Sequence, residues 1–148
     1  MNYHQLLHQT IIAAVKAGKE ILEVYDTKFD VEYKDDKSPL TLADKKASDK
    51  IISELKQFDI PVLSEEGVHD NFEKRKTWSK LWIVDPLDGT KEFVKRNGDF
   101  TVNIALVEDN ASTLGVIFSR VFKDIYFAEK GIGSFKIDRE YFNSLINS

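Results

Sequence analysis

The sequence predicts an α+β domain in which two long helices pack on a largely antiparallel sheet. Apolar residues recur at helical spacing through the first 55 residues, and from residue 62 onward they form short runs separated by turn residues. The last three runs are joined by connections so short that they fit only antiparallel neighbours. A chain of 148 residues with 42% hydrophobic content is typical of one domain, here residues 1–148.

The first predicted helix carries one apolar stripe that faces the core. Its members recur at steps of three and four: Leu7, Ile11, Val15, Gly18, Leu22 and Tyr25. Val31 and Tyr33 then indicate a short strand, and residues 34–37 form a charged turn.

A second helix is predicted to begin near Thr41, whose side chain can cap the first turn. Asp44 then falls in that first turn, near the positive end of the helix. The pair Ser38-Pro39 is expected to lie outside any helix, because a residue before proline prefers an extended backbone. The buried side of this helix is predicted at four-residue spacing: Ala43, Ala47, Ile51 and Leu55.

The rest of the chain alternates apolar runs with turns. A short strand at 62–63 is followed by a polar loop over 68–80, and a second strand at 81–84 ends at the turn 85–90. A helical turn is expected at 91–96 and a short helix at 138–146. The remaining strands are predicted at 100–107, 114–119 and 125–128.

Composition excludes several classes of function. The chain has 21 basic and 25 acidic residues, so no basic excess favours binding to a nucleic acid polymer. Cysteine is absent and there are three histidines, which disfavours thiol catalysis and zinc sites. No apolar stretch is long enough to cross a bilayer and no secretory signal is present, so a cytoplasmic location is expected. Motifs of P-loop nucleotidases, dinucleotide-binding enzymes and serine hydrolases are absent as well.

Acidic residues cluster where regular elements begin or end. Asp44 opens a helix, Glu65 and Glu66 follow one strand, and Asp85 and Asp88 follow another. If the strands are neighbours, these carboxylates project into one crevice. Hard oxygen ligands without cysteine favour Mg²⁺, with Mn²⁺ or Ca²⁺ as alternatives.

The run Asp85-Pro86-Leu87-Asp88-Gly89-Thr90 carries the sharpest of these signals. Pro86 pre-sets the backbone so that both aspartates can turn toward one point, with the Leu87 carbonyl between them. The amides of Gly89 and Thr90 would open a helical turn that suits an anion. Taken separately, the same residues have ordinary explanations, because Asp-Pro-x-Asp-Gly is a common turn sequence and Asp44 alone suits a helix cap.

Three motifs in order resemble the signature of the inositol monophosphatase superfamily, whose members are magnesium-dependent, lithium-sensitive phosphatases. The motifs are Lys34-x-Asp36-x-Ser38-Pro39-x-Thr41-x-Ala43-Asp44, then Ser64-Glu65-Glu66, then Asp85-Pro86-Leu87-Asp88-Gly89-Thr90. Two further stretches, Thr90-Lys91-Glu92-Phe93 and residues 96–105, are most similar to the CysQ-type 3′(2′),5′-bisphosphate nucleotidases of bacteria. That type converts adenosine 3′,5′-bisphosphate to AMP and phosphate in sulfur assimilation.

The resemblance implies a role for each matching residue. Glu65, Asp85 and Asp88 would ligate magnesium through their side chains and Leu87 through its carbonyl. Asp44 and Thr90 would orient and deprotonate the attacking water. The amides of Gly89 and Thr90 would hold the scissile phosphate, and Glu65, Leu87 and Asp88 border the same substrate site.

The resemblance also implies that the chain corresponds to the N-terminal half of a layered, sugar-phosphatase-like fold, without the C-terminal α/β layer. We therefore expect one full metal site, where the family uses two or three ions, and weak activity of the chain alone. Self-association or a separate C-terminal half would complete the fold, and some relatives imply peripheral attachment to the inner membrane. The alternatives are an inositol or sugar phosphatase and a non-catalytic remnant or partner-dependent subunit.

Overall fold

A computed structural model describes residues 2–26, 39–64 and 72–146, which form helices and a six-stranded sheet. The helices are α1 (Tyr3–Tyr25), α2 (Pro39–Leu55), α3 (Phe72–Arg75), α4 (Thr90–Lys95) and α5 (Arg139–Ile146), and a 3₁₀ turn (Lys56–Phe58) follows α2. The strands are β1 (Val62–Ser64), β2 (Lys80–Asp88), β3 (Thr101–Glu108), β4 (Ala111–Ser119), β5 (Asp124–Glu129) and β6 (Gly133–Ile137). None of the helices in these ranges has both the length and the apolar character needed to cross a membrane.

The strands lie in the sheet in the same order as in the sequence, β1 to β6. The β1–β2 pair is parallel and the pairs from β2 to β6 are antiparallel, which confirms the largely antiparallel sheet. Strand β6 was not predicted from the sequence. This strand, Gly-Ser-Phe-Lys-Ile, lacks an apolar run because it lies at the sheet edge, and only Ile137 is buried.

Helix α1 confirms the first predicted helix and packs on α2, β3 and β4. The Asn2 side chain caps it by accepting a hydrogen bond of 2.9 Å from the His4 amide. Its buried stripe is rotated slightly from the predicted one, because Leu6, Ile21 and Val24 are buried while Leu7, Leu22 and Tyr25 are half-buried. Gly18 lets the helix approach β4: a Cβ at this position would lie 2.4 Å from Cε2 of Phe118.

Helix α2 begins at Pro39, two residues before the predicted start. The expectation that Pro39 lies outside a helix was wrong, because proline is well tolerated at the first helical position, where its missing N–H has no helical partner. Asp44 consequently lies beyond the first turn of α2, and the expected charge–dipole placement does not hold. The predicted buried residues of this helix are all fully buried: Ala43, Ala47, Ile51 and Leu55.

Several further boundaries differ from the sequence-based expectation; β4, for example, begins at Ala111 rather than at residue 114. The polar stretch 68–80 contains the short helix α3 and the start of β2. β2 does not end at residue 84 but continues through Asp88, because Pro86 and Leu87 are buried and hold the chain against the core. The predicted strand at Val31 and Tyr33 and the charged turn 34–37 lie outside the described residues.

Candidate metal and phosphate site

A β-bulge near the end of β2 places Asp85 and Asp88 on the same face of the sheet. Asp85 pairs with Asn103 of β3 and Asp88 pairs with Thr101, so three steps along β2 match two steps along β3. In a regular strand, residues three apart point to opposite faces. The extra residue restores a common face, and the successive burial of Pro86 and Leu87 marks its position.

Gly89 and Thr90 connect this bulged strand end to α4. Gly89 is the N-cap residue of α4 with φ of 94°, a left-handed conformation, and Thr90 is the exposed first residue of the helix. A Cβ at residue 89 would lie 3.1 Å from the carbonyl oxygen of Asp99 and 3.3 Å from Cα of Phe100. Both the conformation and the close approach of neighbouring backbone therefore require glycine here.

Asp44 lies on α2, the helix that contacts both β2 and α4. Its side chain is buried, with 8% of the residue's surface exposed. One turn further along α2, Ser48 Oγ is 3.2 Å from Ser64 Oγ at the end of β1, and both serines are buried. This hydrogen bond holds α2 against the end of β1. Asp44, one turn earlier on α2, is therefore held near the paired strands β1 and β2.

The strand β1 ends beside the acidic end of β2. Ser64 pairs with Val84 in the parallel ladder, immediately before Asp85. Glu65, the predicted ligand that follows Ser64, and Glu66 lie outside the described residues. Within residues 2–26, 39–64 and 72–146, no three acidic or histidine side chains are grouped closely enough to hold a metal ion.

The donors that the structure does describe suit a hard cation. Asp85 is half-buried, Asp88 is exposed, and the Leu87 carbonyl lies between them on the bulge. All three offer oxygen, the donor that Mg²⁺ prefers. The chemistry of the donor set therefore fits magnesium.

Asn103 was not among the site residues predicted from the sequence. Its Nδ2 donates a hydrogen bond of 3.0 Å to Asp88 Oδ2, and its Oδ1 accepts a hydrogen bond of 3.2 Å from Thr101 Oγ1. The available signal was the presence of two polar residues, Thr101 and Asn103, at alternate positions in a stretch that is otherwise apolar, Thr-Val-Asn-Ile-Ala-Leu-Val, before the strand ends at Glu108.

Comparisons with known proteins agree on one family. The sequence pattern of the inositol monophosphatase family matches residues 2–143. The chain is 48% identical over 130 residues to a 3′(2′),5′-bisphosphate nucleotidase CysQ of Salmonella typhimurium, covering 85% of this chain and 52% of that protein. Over 138 residues it is 39% identical to the CysQ of Haemophilus influenzae, covering 92% of this chain and 51% of that protein.

Solved structures give the same result. The crystal structure of CysQ from Bacteroides thetaiotaomicron superposes with a TM-score of 0.85 at 51% identity, covering 90% of this chain and 49% of that one. The suppressor protein SuhB from Bartonella henselae gives a TM-score of 0.74 at 30% identity, covering 91% of this chain and 52% of that one. The chain spans about half the length of the relatives it matches.

Proposed function

The chain belongs to the inositol monophosphatase family, and on that premise we propose that it is the metal- and phosphate-binding part of a magnesium-dependent phosphatase. The proposed reaction removes the 3′-phosphate of adenosine 3′,5′-bisphosphate to give AMP and phosphate. The observation that carries the proposal is the bulge that brings Asp85 and Asp88 to one face directly before Gly89 and Thr90. The similarity to CysQ nucleotidases supports this substrate over an inositol phosphate.

Asp85, Asp88, Glu65 and the Leu87 carbonyl are the proposed magnesium ligands. When bound, magnesium would lower the pKa of water, neutralise phosphate charge and stabilise the leaving oxygen. The residues of the chain supply the positioning. Asp44 is the proposed acceptor of the proton from the attacking water, with Thr90 as its orienting partner. These two residues lie on α2 and α4, and the two helices contact each other. The amides of Gly89 and Thr90 are the proposed donors to the phosphate oxygens.

The metal assignment is tested with Asp85→Asn and a matched control, Asp109→Asn, at an exposed turn residue with φ of 50°. Because the proposed ligands are like charges that repel one another without a cation, Asp85→Asn should leave the melting temperature without magnesium unchanged or slightly raised. Magnesium should raise the melting temperature of the wild type and of the control, because it binds only the folded state, and it should not raise that of Asp85→Asn. An unchanged magnesium response in Asp85→Asn would rule out this ligand.

The sheet face that carries the two aspartates is also the proposed docking surface for the half of the relatives that this chain does not match. Three of its residues are large, apolar and between 44% and 49% exposed: Ile83, Ile117 and Tyr126. Across the ladders, Asp85 pairs with Asn103, Asn103 with Ile117, and Ile117 with Tyr126. A layer that covered the apolar part would therefore border the carboxylates, which supports a partner that completes the site.

The partner is tested by adding a separately made C-terminal half of the Salmonella CysQ and measuring phosphate release from adenosine 3′,5′-bisphosphate with magnesium. We expect weak release from the chain alone and restored, lithium-sensitive release from the mixture. Ile117→Lys should abolish the restoration, whereas Ile132→Lys, at a turn residue 65% exposed, should not. Full activity of the chain alone would contradict the need for the partner, and sedimentation would show whether a second copy covers the face instead.

Two measurements distinguish the proposed nucleotidase from the alternative functions: which substrate is hydrolysed, and whether any phosphate is released. Inositol 1-phosphate is the discriminating substrate for an inositol phosphatase, which the match to the inositol monophosphatase family keeps as the second candidate. Absence of phosphate release from both substrates, with the partner half present, would indicate a non-catalytic remnant. A cytoplasmic location remains a prediction, and cell fractionation would distinguish it from attachment to the inner membrane.

A further inference from the structure

Asn103 forms a hydrogen-bonded connection between Thr101 and Asp88. Thr101 Oγ1 donates to Asn103 Oδ1 at 3.2 Å, and Asn103 Nδ2 donates to Asp88 Oδ2 at 3.0 Å. An ionised carboxylate only accepts hydrogen bonds, so the amide nitrogen must be the atom that faces it. The threonine hydroxyl in turn supports that orientation, because it donates to the amide oxygen.

The backbone register explains why this one amide reaches the acidic end of β2. Asn103 is the cross-strand neighbour of Asp85, and the bulge brings Asp88 opposite Thr101. Thr101 and Asn103 are two residues apart in β3, so their side chains lie on the same face. Asn103 and Thr101 are both half-buried, whereas Asp88 is exposed. The exposed Asp88 carboxylate is not held in place by packing, so the hydrogen bond from the Asn103 amide is what restrains it.

We propose that Asn103 is a positioning residue for the metal-binding carboxylate of Asp88, and that Thr101 fixes the orientation of its amide. With Oδ2 of Asp88 accepting from Asn103, the other carboxylate oxygen would be left to bind the cation. A neutral amide suits this role better than lysine or arginine, because it orients the carboxylate without cancelling the charge that attracts magnesium. The inference rests on the proposed role of Asp88 as a magnesium ligand.

The competing explanation is that the hydrogen bond only stabilises the pairing of β2 with β3. The two explanations differ in what they predict for magnesium affinity measured on folded protein. A purely structural hydrogen bond would change the free energy of unfolding and leave the dissociation constant for Mg²⁺ unchanged. A positioning residue would change the dissociation constant, since loss of such an outer partner typically weakens metal binding by about 10- to 100-fold.

The experiment titrates Mg²⁺ alone into the purified chain and follows the backbone amide resonances of residues 88–90 by NMR. Asn103→Leu keeps the side-chain size and removes both hydrogen bonds, and because Asp88 is exposed we expect the low end of that range, a dissociation constant raised about tenfold. Thr101→Val keeps Asn103 in place and should raise it by a smaller factor. The matched control is Thr113→Val, which removes a hydroxyl that donates to another carboxylate, Glu108, at 2.9 Å and should leave magnesium affinity unchanged.

The outcomes distinguish the inference from the function on which it rests. Wild-type affinity in folded Asn103→Leu, with binding lost in Asp88→Asn, would overturn the positioning role and keep the metal site. Unchanged affinity in Asp88→Asn would overturn the metal assignment and the inference with it. If Asn103→Leu does not fold, Thr101→Val decides: a weaker Mg²⁺ affinity supports the inference, and wild-type affinity refutes it.

Discussion

Replacing Gly89 by alanine tests whether close packing at the strand–helix junction holds the turn that is proposed to bind phosphate. A non-glycine residue in the left-handed region costs about 1–2 kcal/mol, and the reduced entropy of the unfolded chain returns about 0.4–1 kcal/mol. At residue 89 the new Cβ would also lie 3.1 Å from the Asp99 carbonyl oxygen and 3.3 Å from Cα of Phe100. Both neighbours are backbone atoms that cannot rotate away, so overpacking adds about 1–3 kcal/mol.

Gly131→Ala is the matched control because φ is 84° there and no atom would lie within 4 Å of the added Cβ. We expect the control to lose about 1 kcal/mol of the free energy of unfolding and Gly89→Ala to lose about 2–4 kcal/mol. Urea denaturation of the two variants beside the wild type measures the difference directly. Equal losses of unfolding free energy in both variants would refute the reasoning. They would show that the left-handed backbone conformation accounts for the whole cost and that the contact of the new Cβ with residues 99 and 100 adds nothing.

Two further predictions concern the packing of α1. Gly18→Ala should lower the free energy of unfolding by about 1–2 kcal/mol despite the better helix propensity of alanine, because the Cβ would meet the buried Phe118 ring at 2.4 Å. Gly18→Ala should cost less free energy of unfolding in a Phe118→Leu background. An unchanged cost in that double-mutant cycle would show that contact with the Phe118 ring is not its cause. The hydrogen bond from the Tyr3 hydroxyl lowers the pKa of the Glu108 carboxyl. Stability from this pair is therefore fully present above the ordinary glutamate pKa of about 4.3 and is lost as the pH falls through the lowered value. Tyr3→Phe should cost about 0.5–1 kcal/mol at pH 7, and thermal melts should show that difference fading in acid, while Tyr141→Phe, at an exposed ring, should show no such pH dependence.

Periodicity and turn residues predicted the elements that bury a full apolar face. The four-residue spacing of Ala43 to Leu55 and the alternation in β3 report burial directly, so α2 and β3 could be predicted from the sequence. β6 could not, because an edge strand exposes most of its side chains and carries no periodic signal. Asn103 was missed for a related reason: its importance lies in a cross-strand neighbour that only the register identifies.

The bulge in β2 allows the strand end to present two carboxylates on one face while it keeps an apolar side chain buried in the core. A regular strand could not do both. Without the bulge, Asp85 and Asp88 would point to opposite faces, and one carboxylate would lie in the layer that α1 and α2 cover. An unpaired carboxylate in such a layer is strongly unfavourable. Pro86, which has no N–H for the ladder, suits the irregular position. Leu87 then serves both requirements, because its side chain is 3% exposed and anchors the strand end in the core, while its carbonyl belongs to the proposed ligand set. Burial in the core therefore requires an apolar side chain at position 87, and the proposed metal site requires a particular orientation of the backbone carbonyl there.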